Sequence, residues 1–497
     1  MKKVRLVSIS FPGRDLCLAP VSLKSYALKD PEIAKRVSIS ISQFDIGTPN
    51  AKIAKDLLMS RDDILGFTTY VWNVEKILDV SRRLKSADPA VLILLGGPQV
   101  TGLGETLLSK HEYLDFIVEG EGEKAFKRFL RAAESSTVPG LVYRINGSID
   151  SNPEEPLASL DDLSLPYENR DYRNYLDGCA SPVRAAIETS RGCPFSCAYC
   201  TWGKRKMRYF DLEKLKPAFK YLFNHPKVKT IYITDSNPFL KKGRSKELLE
   251  FIIKENVHKK LVTFEASPEY ITDDQTLDLI LELGNEEFAF GVQSTSPAVL
   301  ERIQRRFDPV RYQENIRLIR SKNPNIEMWF SLIIGLPGDN YRQFLKSVEF
   351  VLNLEPTGIY FHELLCLPGS DLYKDPEKYG LEYQEEAPHK VTKNESFPMK
   401  EYKAAKELAY FVYLMHRSGE SKKILHLNGK LGENRKLIDL YLDLRDFMAG
   451  KSDLLEEVKV QDLFSWFFER KATEFLQTRS NTVRLTQLVD AFLERMG

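Results

Sequence analysis

Residues 190–203 read SRGCPFSCAYCTWG and hold three of the chain's six cysteines, Cys193, Cys197 and Cys200. The apolar run AAIET just before them, residues 185–189, reads as a strand that feeds a loop marked by Gly192 and Pro194. Three readings of the thiols compete. A structural zinc site wants four ligands, yet the loop has three cysteines and no histidine, the next one downstream being His225. Simple burial suits a single cysteine better than three within eight loop positions. An iron–sulfur cubane held by three thiolates leaves one iron open for coordination, and a strand end is where a barrel places its chemistry.

The surroundings of this loop have βα order. Downstream, residues 230–234, 261–266, 287–292, 326–334 and 358–365 read as strands. Helical periodicity separates them at 211–223, 245–256, 276–283, 311–321 and 341–354. With the strand at 185–189 this gives six βα-ordered strands, a partial (β/α)6 TIM-like barrel whose strand ends face one mouth. Upstream, short apolar runs at 4–9, 37–44, 63–69, 91–95 and 115–118 alternate with helical patterns, which predicts an α/β, doubly wound Rossmann-like sheet. Its ligand-facing loops would be 11–20, 68–73, 96–101 and 119–123. Residues 136–182 lose periodicity and collect prolines, which reads as a linker or a small β excursion at a domain boundary. Beyond about residue 390 strands vanish, and helices are expected at 402–417, 435–448 and 462–477. The expected division is therefore a first domain at 1–138, a linker at 139–182, a barrel at 183–390 and a C-terminal helical domain at 391–497.

At 497 residues the chain is too long for one core, and 43% hydrophobic with 28% charged residues is the balance of a soluble globular protein. A net charge of +1 gives no electrostatic reason to expect nucleic acid or membrane as partner. The basic and then apolar start leads directly into Pro12-Gly13 and reads as a first strand, not a signal peptide. No apolar stretch nears the ~18 residues of a membrane span. A cytoplasmic protein is expected, in which clustered thiols point to metal or catalysis.

The spacing C-x3-C-x2-C with Tyr199 before the last cysteine, after the first strand of a βα barrel, resembles the radical S-adenosylmethionine (SAM) superfamily. The resemblance implies a [4Fe-4S] cluster on Cys193, Cys197 and Cys200, with SAM on the open iron and Tyr199 near its adenine. It also implies SAM contacts at later strand ends. Asp235 and Ser236 would face the amino group, although the glycine-rich form of that segment is absent. Glu265 in FEASP would meet the ribose, and Gln293 in GVQS is a further polar contact. Arg305 in ERIQRR would meet the carboxylate, with Arg306 competing, and Gly335 and Pro337 in GLPG would approach the adenine.

Four stretches of the first domain, LAPVSLKSYAL, DILGFTTYVWN, VLILLGGPQV and FIVEGEGE, resemble the cobalamin-binding domain that precedes the barrel in one radical SAM class. The likeness spans about residues 1–390. It implies cobalamin contacts at Thr69, Tyr70, Trp72, Gly96, Gly97, Pro98, Gly120, Glu121 and Gly122, with Tyr70 and Trp72 under the corrin. The D-x-H-x-x-G histidine is missing: Ser109 precedes His111, the only histidine in the first 135 residues. Cobalt would thus lack a histidine lower ligand. Cys17 lies in a post-strand loop, where burial competes with an approach to cobalt.

The resemblance implies methylation of an unactivated carbon through a 5′-deoxyadenosyl radical and methylcobalamin. The alternative is cyclisation, rearrangement or oxidation on the same cofactors. A methylthiotransferase would need a second cysteine triad, and an inert SAM or cobalamin sensor would not need the first. The implied partners are a small-molecule or peptide substrate and an external electron donor such as flavodoxin or ferredoxin.

Overall fold

A computed structural model describes residues 1–12, 16–132, 134–202, 205–271, 274–284, 287–431, 435–451 and 476–496. Strands β1 (Lys2–Ser10), β2 (Val37–Asp45), β3 (Ile64–Thr68), β4 (Leu92–Gly96) and β5 (Phe116–Val118) form a parallel sheet in the order β2-β1-β3-β4-β5. Alternate side chains divide between two cores, as strand geometry requires. Val7, Leu65, Phe67, Ile93 and Leu95 pack under helices Asn50–Ser60 and Val74–Ala87. Val4, Leu6, Ile64 and Leu94 pack under helices Leu18–Ala27 and Gly122–Arg131. Each such side chain stabilises the fold by about 1.5–3 kcal/mol. The result is the doubly wound domain the alternation predicts.

That sheet does not stop at residue 138. Strands β6 (Leu141–Ile145) and β7 (Ser148–Ser151) extend it antiparallel beyond β5. They lie where the sequence, broken by Pro139-Gly140, reads as a linker or a small β excursion. From there Leu157, Leu160, Leu163, Tyr167, Tyr172 and Leu176 join the barrel's core, so the rest of the expected linker packs as structure.

The barrel strands are β8 (Val183–Ile187), β11 (Val228–Ile233), β12 (Leu261–Phe264), β13 (Glu287–Gln293), β14 (Glu327–Ile334) and β15 (Gly358–Glu363). They run parallel in two three-stranded ladders, β8-β11-β12 and β13-β14-β15, joined by a bridge between Ala266 and Phe290. Among the described residues no ladder joins β8 to β15, so the six strands make an open arc. A hairpin, β9 (Ser190–Cys193) with β10 (Arg205–Tyr209), follows β8 at the mouth and carries the cysteine loop.

A second hairpin, β16 (Leu381–Tyr383) with β17 (Val391–Asn394), leads to helices Met399–Arg417, Ser421–Leu431, Leu437–Ala449 and Arg479–Met496. Their apolar faces share one core with the barrel, and Tyr413 sits 6.4 Å from the edge-strand residue Tyr360. The C-terminal helices therefore pack against the edge strand β15 as part of the barrel's core. The expected helix 462–477 falls mostly on residues outside those described. Among the described residues no helix is long and apolar enough to cross a membrane.

Candidate active site at the barrel mouth

The cysteine loop is held by its neighbours' strand ends. The Asp235 carboxylate accepts from Thr189 N–H at 2.8 Å, Thr189 Oγ1 at 2.6 Å and Ser190 Oγ at 2.5 Å. Ser236 Oγ donates to Gly192 O at 2.8 Å, and Ala198 N–H donates to Ile303 O at 2.8 Å. Gly192 takes φ of 100°, which turns the chain into the loop. Asp235 is only 1% exposed and lies outside the cavity lining, so it anchors the loop where a contact to SAM was expected. Replacing it by Asn turns an NH2 group toward hydroxyl donors and weakens the anchor. Asp235→Asn should lower stability by about 1–3 kcal/mol and reduce iron retained per chain after reconstitution. Parent-like iron content and unfolding midpoint would speak against the anchoring role.

Cys193, Cys197 and Cys200 all face one cavity of about 190 Å3, with Tyr199, Ser236, Glu265, Gln293 and Arg305 in its wall. No three His, Cys, Asp or Glu side chains among the described residues take the arrangement that holds a single metal ion. Three thiols spread around a cavity suit a polynuclear cluster better than zinc. Arg305 Nη1 donates to Tyr199 Oη at 3.2 Å and Nη2 to Gly291 O at 2.7 Å, while buried Nε has no partner. Burial opposes the Arg305 charge, but Tyr199 and Cys197 outweigh it and its pKa rises. Gln293 stands at a register shift in β13 with φ of 70°, and its buried Oε1 is also unpartnered. Such strain marks sites where a side chain is aimed. Burial raises the Glu265 carboxyl, with Arg184 and the Tyr232 hydroxyl pulling it back. An orphaned donor, an orphaned acceptor and a carboxylate beside three thiols fit a zwitterion that carries a ribose.

Gly335 and Pro337 are not in this wall. A Cβ on Gly335 would fall 2.5 Å from the Tyr402 ring, and its carbonyl accepts from Asn394 Nδ2, so this turn seats the C-terminal helix. The same loop buries Asp339, whose carboxyl is pushed up to about 7 by desolvation against one hydrogen bond from Asn340 N–H. The folded chain then holds that proton more tightly than the unfolded one, and stability falls as pH rises from about 4 to about 7. Asp339→Asn should stabilise the protein at pH 8 by at most ~4 kcal/mol and leave pH 4 stability unchanged, as read from denaturant midpoints. The wall also includes Asn237, Tyr270, Trp202 and Arg306, of which only Arg306 was signalled by the motif.

A second cavity, about 130 Å3, lies at the carboxyl ends of β1, β3, β4 and β5. Its wall is Leu6, Leu94, Leu95, Val118 and Phe126 with Gly66, Gly96, Gly97, Gly120 and Gly122. Gly97 has φ of 120°, and a Cβ there would fall 2.5 Å from Thr69 O. Gly97→Ala should cost about 1–3 kcal/mol in unfolding free energy and weaken ligand binding to this cavity. An unchanged midpoint would contradict it. Of the expected contacts, Thr69, Tyr70, Trp72, Pro98 and Glu121 lie outside the wall. Thr69 Oγ1 is spent on Gly96 O at 2.9 Å, and Glu121 pairs with Arg208. Tyr70 and Trp72 stack at 4.5 Å and 5°, forming a flat platform with Trp72 38% exposed, and Cys17 Sγ lies 4.0 Å from Tyr70 Oη.

The profile of the radical SAM superfamily matches residues 187–351, and that of the B12 binding domain matches residues 33–130. The chain thus carries a B12-binding domain followed by a radical SAM domain. This B12-binding radical SAM chain is 29% identical over 392 residues to the cobalamin-dependent radical SAM methyltransferase TokK of Streptomyces tokunonensis, a match covering 72% of this chain and 55% of that protein. It is 28% identical over 390 residues to 2-(S-pantetheinyl)-carbapenam-3-carboxylate methyltransferase of Streptantibioticus cattleyicolor, again covering 72% and 55%. The chain thus spans about half the length of these curated relatives. In fold it is similar to the cobalamin-dependent S-adenosylmethionine radical enzyme OxsB with aqua-cobalamin and SAM bound, at a TM-score of 0.66 and 15% identity over 100% of this chain and 80% of that one.

Proposed function

We propose that this B12-binding radical SAM chain is a methyltransferase that transfers a methyl group to an unactivated carbon of a small-molecule substrate, fed by an external one-electron donor in a reducing cytoplasm. One observation carries the reading. Three thiols converge with Arg305, Gln293 and Glu265 on the barrel-mouth cavity, beside a domain whose glycine-lined cavity opens at the ends of its own strands. When bound, the [4Fe-4S] cluster with SAM supplies one-electron homolytic chemistry, and cobalamin supplies a transferable methyl group.

The chain's residues do the rest. Cys193, Cys197 and Cys200 would hold three of the cluster's irons. Arg305, fixed by Tyr199 and Gly291, turns its free Nε toward an anionic carboxylate. Glu265 accepts from ribose hydroxyls, and Gln293 offers an acceptor to an ammonium. The Tyr70–Trp72 stack gives a flat, non-ligating floor for a corrin. With no histidine in the motif position, Tyr70 and Trp72 would hold the corrin by packing alone, and the cobalamin so held would supply the methyl group. Support for methyl transfer over other outcomes comes from the methyltransferase relatives.

Anaerobic protein loaded with iron, sulfide and hydroxocobalamin, then given a strong reductant and SAM, tests the reading. S-adenosylhomocysteine and a methylated corrinoid are expected, together with 5′-deoxyadenosine. Formation of 5′-deoxyadenosine alone, with no corrinoid retained, would overturn the methyl-transfer part.

A further inference from the structure

The two cavities are joined by a clamp that no motif announces. Arg191 on β9 and Arg208 on β10 are directly opposite each other in the hairpin, and β9 ends at Cys193. Arg191 Nη2 donates to Glu123 Oε1 at 2.7 Å, and its Nε donates to Glu188 at 2.8 Å. Arg208 forks onto Glu121, with Nη1 3.0 Å from Oε2, and also donates to Leu157 O at 2.6 Å. Glu121 and Glu123 flank Gly122 where the loop after β5 enters helix Gly122–Arg131, and Gly122 and Glu123 line the N-terminal cavity. All four paired side chains are at most 16% exposed.

Buried pairs of this kind contribute little net stability, because desolvation offsets attraction, but losing one partner is costly. Their value is in fixing geometry. Planar guanidiniums gripping carboxylates allow few arrangements. One face of the clamp is the strand that presents a cluster ligand. The other is the loop that forms part of the corrinoid cavity's wall.

We propose that Arg191 and Arg208, with Glu123 and Glu121, are positioning residues that couple corrinoid binding in the N-terminal cavity to cluster occupancy at the barrel mouth. This rests on the cofactor assignment above. A cluster on Cys193 orders β9, the ordered hairpin holds Glu121 and Glu123, and the post-β5 loop is then set for the corrinoid before it arrives. Linkage makes the effect reciprocal: corrinoid tightens the hairpin around the cluster by the same factor.

The test is a binding cycle, not turnover. Hydroxocobalamin affinity is measured by equilibrium dialysis for full-length protein with and without reconstituted cluster, in the parent and in Glu123→Gln. Cluster loading should tighten parent binding by about 5-fold or more, the lower range of site-to-site coupling. In Glu123→Gln the ratio should fall below about 2-fold. A Glu123 that only touches corrinoid, or only supports the fold, lowers both affinities and leaves the ratio intact. That result overturns the coupling, as does a parent ratio near one. Should Glu123→Gln not fold, Arg208→Gln removes the other arm and carries the same comparison. A parent that binds no corrinoid in either state sinks the cobalamin assignment itself, a failure distinct from equal affinities.

Discussion

Cys197→Ala yields a folded protein that forms no detectable 5′-deoxyadenosine. Cys197 is the buried member of the triad, its carbonyl accepts from Cys200 N–H at 3.0 Å, and its thiol faces the same cavity as the other two. Alanine keeps the backbone turn and removes a ligand, and among the described residues the cavity wall offers no histidine or further cysteine to replace it. Iron retention should drop with SAM cleavage, while far-ultraviolet circular dichroism stays at the parent value. Cys193→Ala and Cys200→Ala should behave alike. By contrast Cys366, whose thiol burial pushes up to about 12, lies outside the cavity wall in the apolar cluster behind Ala198, so Cys366→Ala should leave SAM cleavage untouched. A Cys197→Ala protein with parent-level iron and product would remove the basis for the cluster.

Arg305→Met separates SAM binding from cluster assembly. The guanidinium spends Nη1 on Tyr199 and Nη2 on Gly291, leaving Nε for a ligand. Methionine fills the volume but cannot donate. A charge-assisted hydrogen bond is worth about 1.5–3 kcal/mol, so SAM affinity should fall about 10- to 100-fold with iron content unchanged. Arg305→Lys should not restore it, because one ammonium cannot span the Tyr199 hydroxyl and the Gly291 carbonyl while presenting a third donor. Equilibrium dialysis with labelled SAM reads the effect. Parent-like affinity in Arg305→Met would move the carboxylate contact to Arg306, the other arginine in the wall.

Much of this was legible before any coordinates. Continuous apolar runs joined by helical periodicity specify parallel strands, and both the doubly wound sheet and the βα-ordered barrel strands are present. The residues named from the cysteine spacing and the strand ends, among them Ser236, Glu265, Gln293 and Arg305, line one cavity with the three thiols. Residue type alone did not tell lining from anchoring. Asp235 looked like a ligand contact, but two hydroxyls and an amide consume its carboxylate. Gly335 looked like room for adenine, and the room is taken by Tyr402, some seventy residues away in sequence. The stretch read as a linker or a small β excursion carries β6 and β7, strands the sequence could not bound because Pro139-Gly140 breaks periodicity and both are too short to show their own. The arginine–glutamate clamp was invisible because ion pairs between distant segments leave no local pattern.

The most direct measurement is electron paramagnetic resonance of the reduced cluster with and without SAM. If three cysteines leave an iron open for SAM, the spectrum of the reconstituted parent changes on adding SAM, and this response weakens in Arg305→Met at the same SAM concentration. A parent spectrum indifferent to saturating SAM would mean that the fourth iron is not the SAM site, and the reading of residues 190–203 would be wrong.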